Sequence, residues 1–85
     1  MSKSLETQKL IIDRWSFEAL DTIADAVTHK RELLLLVARN RLEDNFDKYQ
    51  DRMFQQPKNK LWLEAIEELA DAINYLSVML YKREE

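Results

Sequence analysis

Trp62-Leu63-Glu64-Ala65-Ile66-Glu67-Glu68-Leu69-Ala70-Asp71-Ala72-Ile73-Asn74-Tyr75-Leu76 holds two patterns at once. Trp62, Ile66, Leu69, Ile73, Leu76/Ser77 and Leu80 recur at intervals of three and four, the signature of one face of an α-helix. The same stretch carries Glu64, Glu67, Asp71 and Asn74 along one narrow row, with Glu68 beside it, because successive residues turn by about 100°. The pattern predicts a helix over about 60–82. It follows a break at Gln55-Gln56-Pro57-Lys58-Asn59, where Pro57 cannot continue a helix and Asn59 is a candidate cap.

Upstream of that break, Leu35, Ala38, Leu42, Phe46, Tyr49 and Met53 mark a second long helix over about 30–54. Thr28 is a candidate for its cap. An N-terminal helical segment is expected over 5–28. In it, Ser4 caps a first stretch containing Leu10, Ile11 and Ile12, and Ser16 caps a second with Phe17, Leu20, Ile23 and Val27. Leu20, Ala24, Val27, Arg31, Leu34 and Ala38 remain in phase, so residues 16–54 form either one helix or two. Thr28-His29-Lys30-Arg31 is the place for a bend.

Composition agrees with an all-α chain. The 85 residues include no glycine and one proline, so little interrupts helix. Gly-rich phosphate loops and dinucleotide fingerprints are excluded. At 46% apolar and 34% charged residues, the chain is too hydrophobic for disorder. Its longest apolar run, Leu33 to Ala38, is far short of the roughly 20 residues that cross a bilayer. The first residues carry no apolar stretch of the kind that marks a signal peptide, so a cytoplasmic protein is expected. The absence of cysteine excludes disulfides, thiol nucleophiles and zinc–thiolate sites. A net charge of −3 argues against sequence-independent binding to nucleic acid.

Residues 1–85 are therefore expected to form a single all-α domain. Its two long helices make a hairpin with N-terminal helices attached. Each long helix spans roughly 35 Å at 1.5 Å per residue. That is longer than a compact domain of this size is wide, and it leaves apolar surface uncovered around Trp62, Phe54, Leu36 and Val78. Pairing of two hairpins into a four-helix-bundle-like homodimer would cover it.

The acidic row is the candidate for chemistry. It is expected to border the apolar stripe and so to point into a bundle seam. Like charges at i,i+3 and i,i+4 destabilise a helix by a few tenths of a kcal/mol each, a repulsion that a cation relieves. On the preceding helix, Asp44 and Asp47 repeat the three-residue spacing of Glu68 and Asp71. The two pairs on adjacent antiparallel helices would form an all-oxygen cage, a donor set suited to Mg²⁺, or to Mn²⁺ in its place. A solvated helix face whose carboxylates pair with neighbours such as Arg41 and Lys48 is the plainer alternative.

Glu67-Glu68-Leu69-Ala70-Asp71-Ala72-Ile73-Asn74-Tyr75-Leu76 resembles the second metal-binding helix of the MazG-like all-α NTP pyrophosphatases. These carry E-x-x-E on one helix and E-x-x-D on the next. The resemblance covers about Leu33 to Leu80, with the first motif standing here as Asp-x-x-Asp. It implies an oligomeric helical bundle, dimeric or tetrameric, that uses Mg²⁺ to hydrolyse a nucleoside triphosphate to the monophosphate and pyrophosphate. It further implies that Glu68 and Asp71 bind metal with Asp44 and Asp47, and that Glu67 takes a proton from water. Asn74 and Tyr75 would line the substrate side, Lys82 would supply a cation, and Trp62, Phe46 or Tyr75 would stack on the base. The competing expectation is a non-enzymatic helical dimer that docks on a partner protein as an adaptor or inhibitor.

Overall fold

A computed structural model describes residues 2–84. Three α-helices account for nearly all of them: α1 (Leu5–His29), α2 (Arg31–Tyr49) and α3 (Lys58–Arg83), with a 3₁₀ turn at Arg52–Gln55 between the last two. The all-α reading of the sequence holds.

α1 begins as expected at Ser4, whose hydroxyl accepts the Thr7 backbone N–H at 3.2 Å. It then runs without the interruption expected near Ser16. The Ser16 hydroxyl turns back to donate to the Asp13 carbonyl at 3.4 Å, so it is accommodated inside the helix rather than capping a new one. The chain bends at Lys30 (φ −123°, ψ 29°). The hydrogen-bond ladder is barely disturbed there, since the Lys30 N–H reaches the Ala26 carbonyl at 2.7 Å and the Leu34 N–H reaches the Lys30 carbonyl at 3.0 Å.

α2 stops at Tyr49, short of Phe54, because Gln50 takes a positive φ (48°, with ψ −127°). It is the one non-glycine residue to do so among the described residues. The turn there favours glycine, and this chain has none to offer. α3 starts on Pro57, whose carbonyl accepts from the Lys60 and Leu61 N–H groups at 3.1 and 3.2 Å. Proline suits that position since its φ is preset and its missing N–H has no partner to lose. Asn59, the expected cap, lies inside the first turn.

The packed pair is α1 with α3. Every long-range backbone contact among the described residues joins these two helices, and α2 meets its neighbours only at the junctions. This corrects the expected hairpin of the second and third helices. A continuous α1 presents Ile12, Trp15, Ala19, Ile23 and Ala26 along one side, long enough to cover Ala72, Ile73, Leu76 and Leu80 of α3. The helices run antiparallel, with Lys3 beside Tyr81 at the shared end. Two small residues, Ala19 and Ser77, lie in the seam at 0% exposed, with Leu80 at 8%. Close approach of two helix backbones needs side chains of this size.

None of α2's residues is buried, including Leu33 to Val37. The accessible surface of 7878 Å² compares with about 5,300 Å² for a compact chain of 10.2 kDa. The radius of gyration, 15.8 Å, likewise exceeds the roughly 12 Å of a compact 85-residue domain. Among the described residues, no helix is long and apolar enough to cross a membrane.

Candidate functional site

α3 turns its two faces to different surroundings. Ile73, Leu76 and Leu80 look toward α1. Glu64, Glu67 and Asp71 lie about half a helical turn away and are exposed on the opposite side. The acidic row therefore does not border the packed face, as expected from the sequence, but lies across the helix from it.

Part of that row faces α2 across an open cleft of about 510 Å³. Glu64 and Glu68, one turn apart, form the α3 wall with Lys60 a turn before them. Phe46 and Tyr49 form the α2 wall, and Arg52 and Gln50 close the end where the chain turns. The Arg52 guanidinium also stands 5.7 Å from the centre of the Tyr49 ring, which orients both groups at the cleft's edge. Carboxylates, two cations and two aromatic rings thus converge on one hollow, a mixture suited to a charged ligand with a flat part. The unfavourable backbone of Gln50 sits in its lining. Strain of this kind is retained where surrounding structure requires it.

The residues singled out from sequence are distributed as follows. Glu68 lines the cleft. Glu67 and Asp71 are exposed on the same side of α3 but outside the lining. Asp44 and Asp47 are exposed on α2. By helical phase they lie on the side away from Leu42, Phe46 and Tyr49, so they do not look into the cleft. Asn74 and Lys82 line a different groove, about 870 Å³, between the first turns of α1 and the last turns of α3. Tyr75 is 79% exposed, and Trp62, 66% exposed, points to the opposite side of α3 from Glu64.

Among the described residues no three acidic or histidine side chains gather to hold a metal ion. The four-carboxylate cage is therefore not formed within one chain. Mg²⁺ commonly uses one or two carboxylates, with waters and substrate phosphates completing its shell. Glu64 and Glu68, adjacent on the cleft wall, meet that smaller requirement.

Arg52 and Lys60 were not among the candidates read from sequence. Their signal was available: they are basic residues flanking the Pro57 break, where a turn brings the ends of two helices together. No family model matches the chain, and no curated protein or solved structure shows significant similarity to it.

Proposed function

We propose that this chain is a Mg²⁺-dependent nucleoside triphosphate pyrophosphohydrolase, cleaving an NTP or dNTP to the monophosphate and pyrophosphate, and that it works as a homodimer that completes a four-helix bundle. The observation that carries the reading is the cleft in which Glu64 and Glu68 share one hollow with Lys60, Arg52, Phe46 and Tyr49. Its volume falls in the range of small-molecule sites, about 300–1,000 Å³.

Each group has a task in that chemistry. Phe46 and Tyr49 offer flat faces for the base. Arg52 and Lys60 offset phosphate charge, the arginine through a planar fork and the lysine as a point charge. Glu64 and Glu68 would hold the ion. When bound, Mg²⁺ offsets the triphosphate charge and acidifies the water it holds. Glu67, next to Glu68, would accept a proton from the water that attacks phosphorus as pyrophosphate departs. Asp71, one turn beyond Glu67, extends the acidic row.

The decisive measurement is pyrophosphate release from a panel of NTPs and dNTPs, with and without Mg²⁺, in the full chain and in Glu68→Gln. Metal-dependent turnover that falls at least about a hundredfold in the variant supports the reading. No turnover on any nucleotide, with no thermal shift on adding Mg²⁺ or Mn²⁺, sinks it.

A second reading, a non-enzymatic module that docks on another protein, is favoured by α2, on which no residue is buried. The same assay separates the two, because a docking module needs neither nucleotide nor metal.

A further inference from the structure

The groove of about 870 Å³ between the first turns of α1 and the last turns of α3 takes no part in the proposed hydrolysis. Its lining is divided along its length. Leu5, Ile12 and Val78 give it an aliphatic floor. Lys3, Tyr81 and Lys82 stand at the end where α1 begins and α3 finishes. Asp13 and Asn74 mark the other end, about 12 Å along α1 from Leu5 and along α3 from Lys82 at 1.5 Å per residue.

The basic end is held in shape by two contacts. The Gln8 side-chain amide donates to the Lys3 carbonyl at 2.9 Å, and the Lys3 ammonium stands 5.4 Å from the centre of the Tyr81 ring. The segment before α1 is thereby tied across to α3. Lys9, also in the lining, pairs with Glu6 at 3.5 Å. Lys3 and Lys82 make no ion pair among the described residues. Two such ammonium groups on one groove stand out in a chain of net charge −3, and Asp13, the one acid of the lining, lies at the far end.

We infer that this groove binds a medium-chain fatty acid, its carboxylate held by Lys3 and Lys82 and its acyl chain laid along Leu5, Ile12 and Val78. Charge selects an anionic head group, and a lysine ammonium, strongly hydrated and on a flexible stem, suits a head group that stays at a wet rim. The floor selects the tail: branched aliphatic side chains suit a flexible hydrocarbon, and Tyr81, the aromatic residue of the lining, stands at the basic end. Length selects a medium chain, because polar Asp13 and Asn74 close the apolar stretch after about 12 Å. The volume lies in the range of small-molecule sites, about 300–1,000 Å³. The site is separate from the Glu64–Glu68 cleft and does not depend on nucleotide hydrolysis.

The test is isothermal titration calorimetry on the full-length chain with decanoate, acetate and decanol, each kept below the concentration at which it self-associates. Decanoate should bind at one site, and acetate and decanol should each bind at least about tenfold more weakly. Replacing both lysines, Lys3→Gln with Lys82→Gln, should weaken decanoate binding by at least about tenfold. Val78→Asn should weaken it too, whereas Leu35→Asn, on the exposed apolar run of α2, should leave it unchanged. Far-UV circular dichroism confirms that each variant remains helical. No binding of decanoate up to about 1 mM overturns the inference. Acetate or decanol that matches decanoate overturns it as well, since the groove would then read only the head or only the tail. Binding that survives the loss of both lysines has the same consequence. Binding lost in Leu35→Asn but kept in Val78→Asn places the fatty acid on α2 and overturns the assignment to this groove.

Discussion

The ammonium of Lys3 stands 5.4 Å from the centre of the Tyr81 ring, joining the segment just before α1 to the last turns of α3. The contact fixes the two helices as antiparallel partners and closes one end of the only extensive packing in the described chain. An exposed cation–π pair of this type contributes about 0.5–1 kcal/mol. Lys3→Ala should lower stability by that amount in wild type and by much less in a Tyr81→Leu background. A double-mutant cycle from urea unfolding measures the difference.

The α1–α3 seam predicts opposite effects for two substitutions. The Ser77 hydroxyl is fully buried and has no hydrogen-bond partner. Ser77→Ala removes that unsatisfied group and should stabilise the chain by about 1 kcal/mol. Ala19 is also fully buried, and Ala19→Leu forces extra volume between two close backbones. Overpacking of this kind costs about 1–3 kcal/mol. Thermal melts should therefore show Ser77→Ala rising by roughly 4–8 °C and Ala19→Leu falling by at least as much.

Gln50 gives a third prediction. Its φ of 48° with ψ −127° lies in a region glycine occupies freely and other residues reach at a cost of about 1–3 kcal/mol. Gln50→Gly relieves that strain but adds freedom to the unfolded chain, about 0.5–1 kcal/mol in the other direction. The net expectation is a gain of about 1 kcal/mol, read as a higher urea midpoint with an unchanged slope. A loss of stability would show that the side chain at position 50 contributes more than its backbone strains.

The cleft gives a fourth. Arg52→Met and Lys60→Met each remove one cation from its lining. Each should weaken nucleotide binding by about tenfold at low salt, and the deficit should shrink as added salt screens the charges. Isothermal titration calorimetry at two ionic strengths decides it. An unchanged affinity in both variants would remove the phosphate-binding role of this edge.

The helices themselves were legible in the sequence because periodicity and interruption are local properties. Ser4, the bend at Lys30 and the break before Pro57 all appear where caps, phase and proline indicated. Ser16 was misleading for a local reason as well: a serine caps a helix or bonds back into it, and the sequence does not record which. The partner of α3 was not legible, since α1 and α2 both offer apolar rows and the choice depends on where the bend at Lys30 sends the chain. For the same reason Asp44 and Asp47, spaced like a match for Glu68 and Asp71, lie on the side of α2 away from the cleft. Helical spacing places carboxylates on one side of a helix but leaves open what that side faces.

Absence of glycine and cysteine, one proline and three- and four-residue apolar spacing were enough to determine an all-α chain interrupted near Lys30 and before Pro57. Those features act through the backbone dihedrals of neighbouring residues, so sequence alone carries them. Only the tertiary structure decided that α1 rather than α2 covers α3, that Glu64 and Glu68 face Phe46 and Tyr49, and that α2 is left without cover. Those outcomes depend on the directions in which rigid helices leave two short turns, and a few degrees at Lys30 or Gln50 redirect every side chain beyond them.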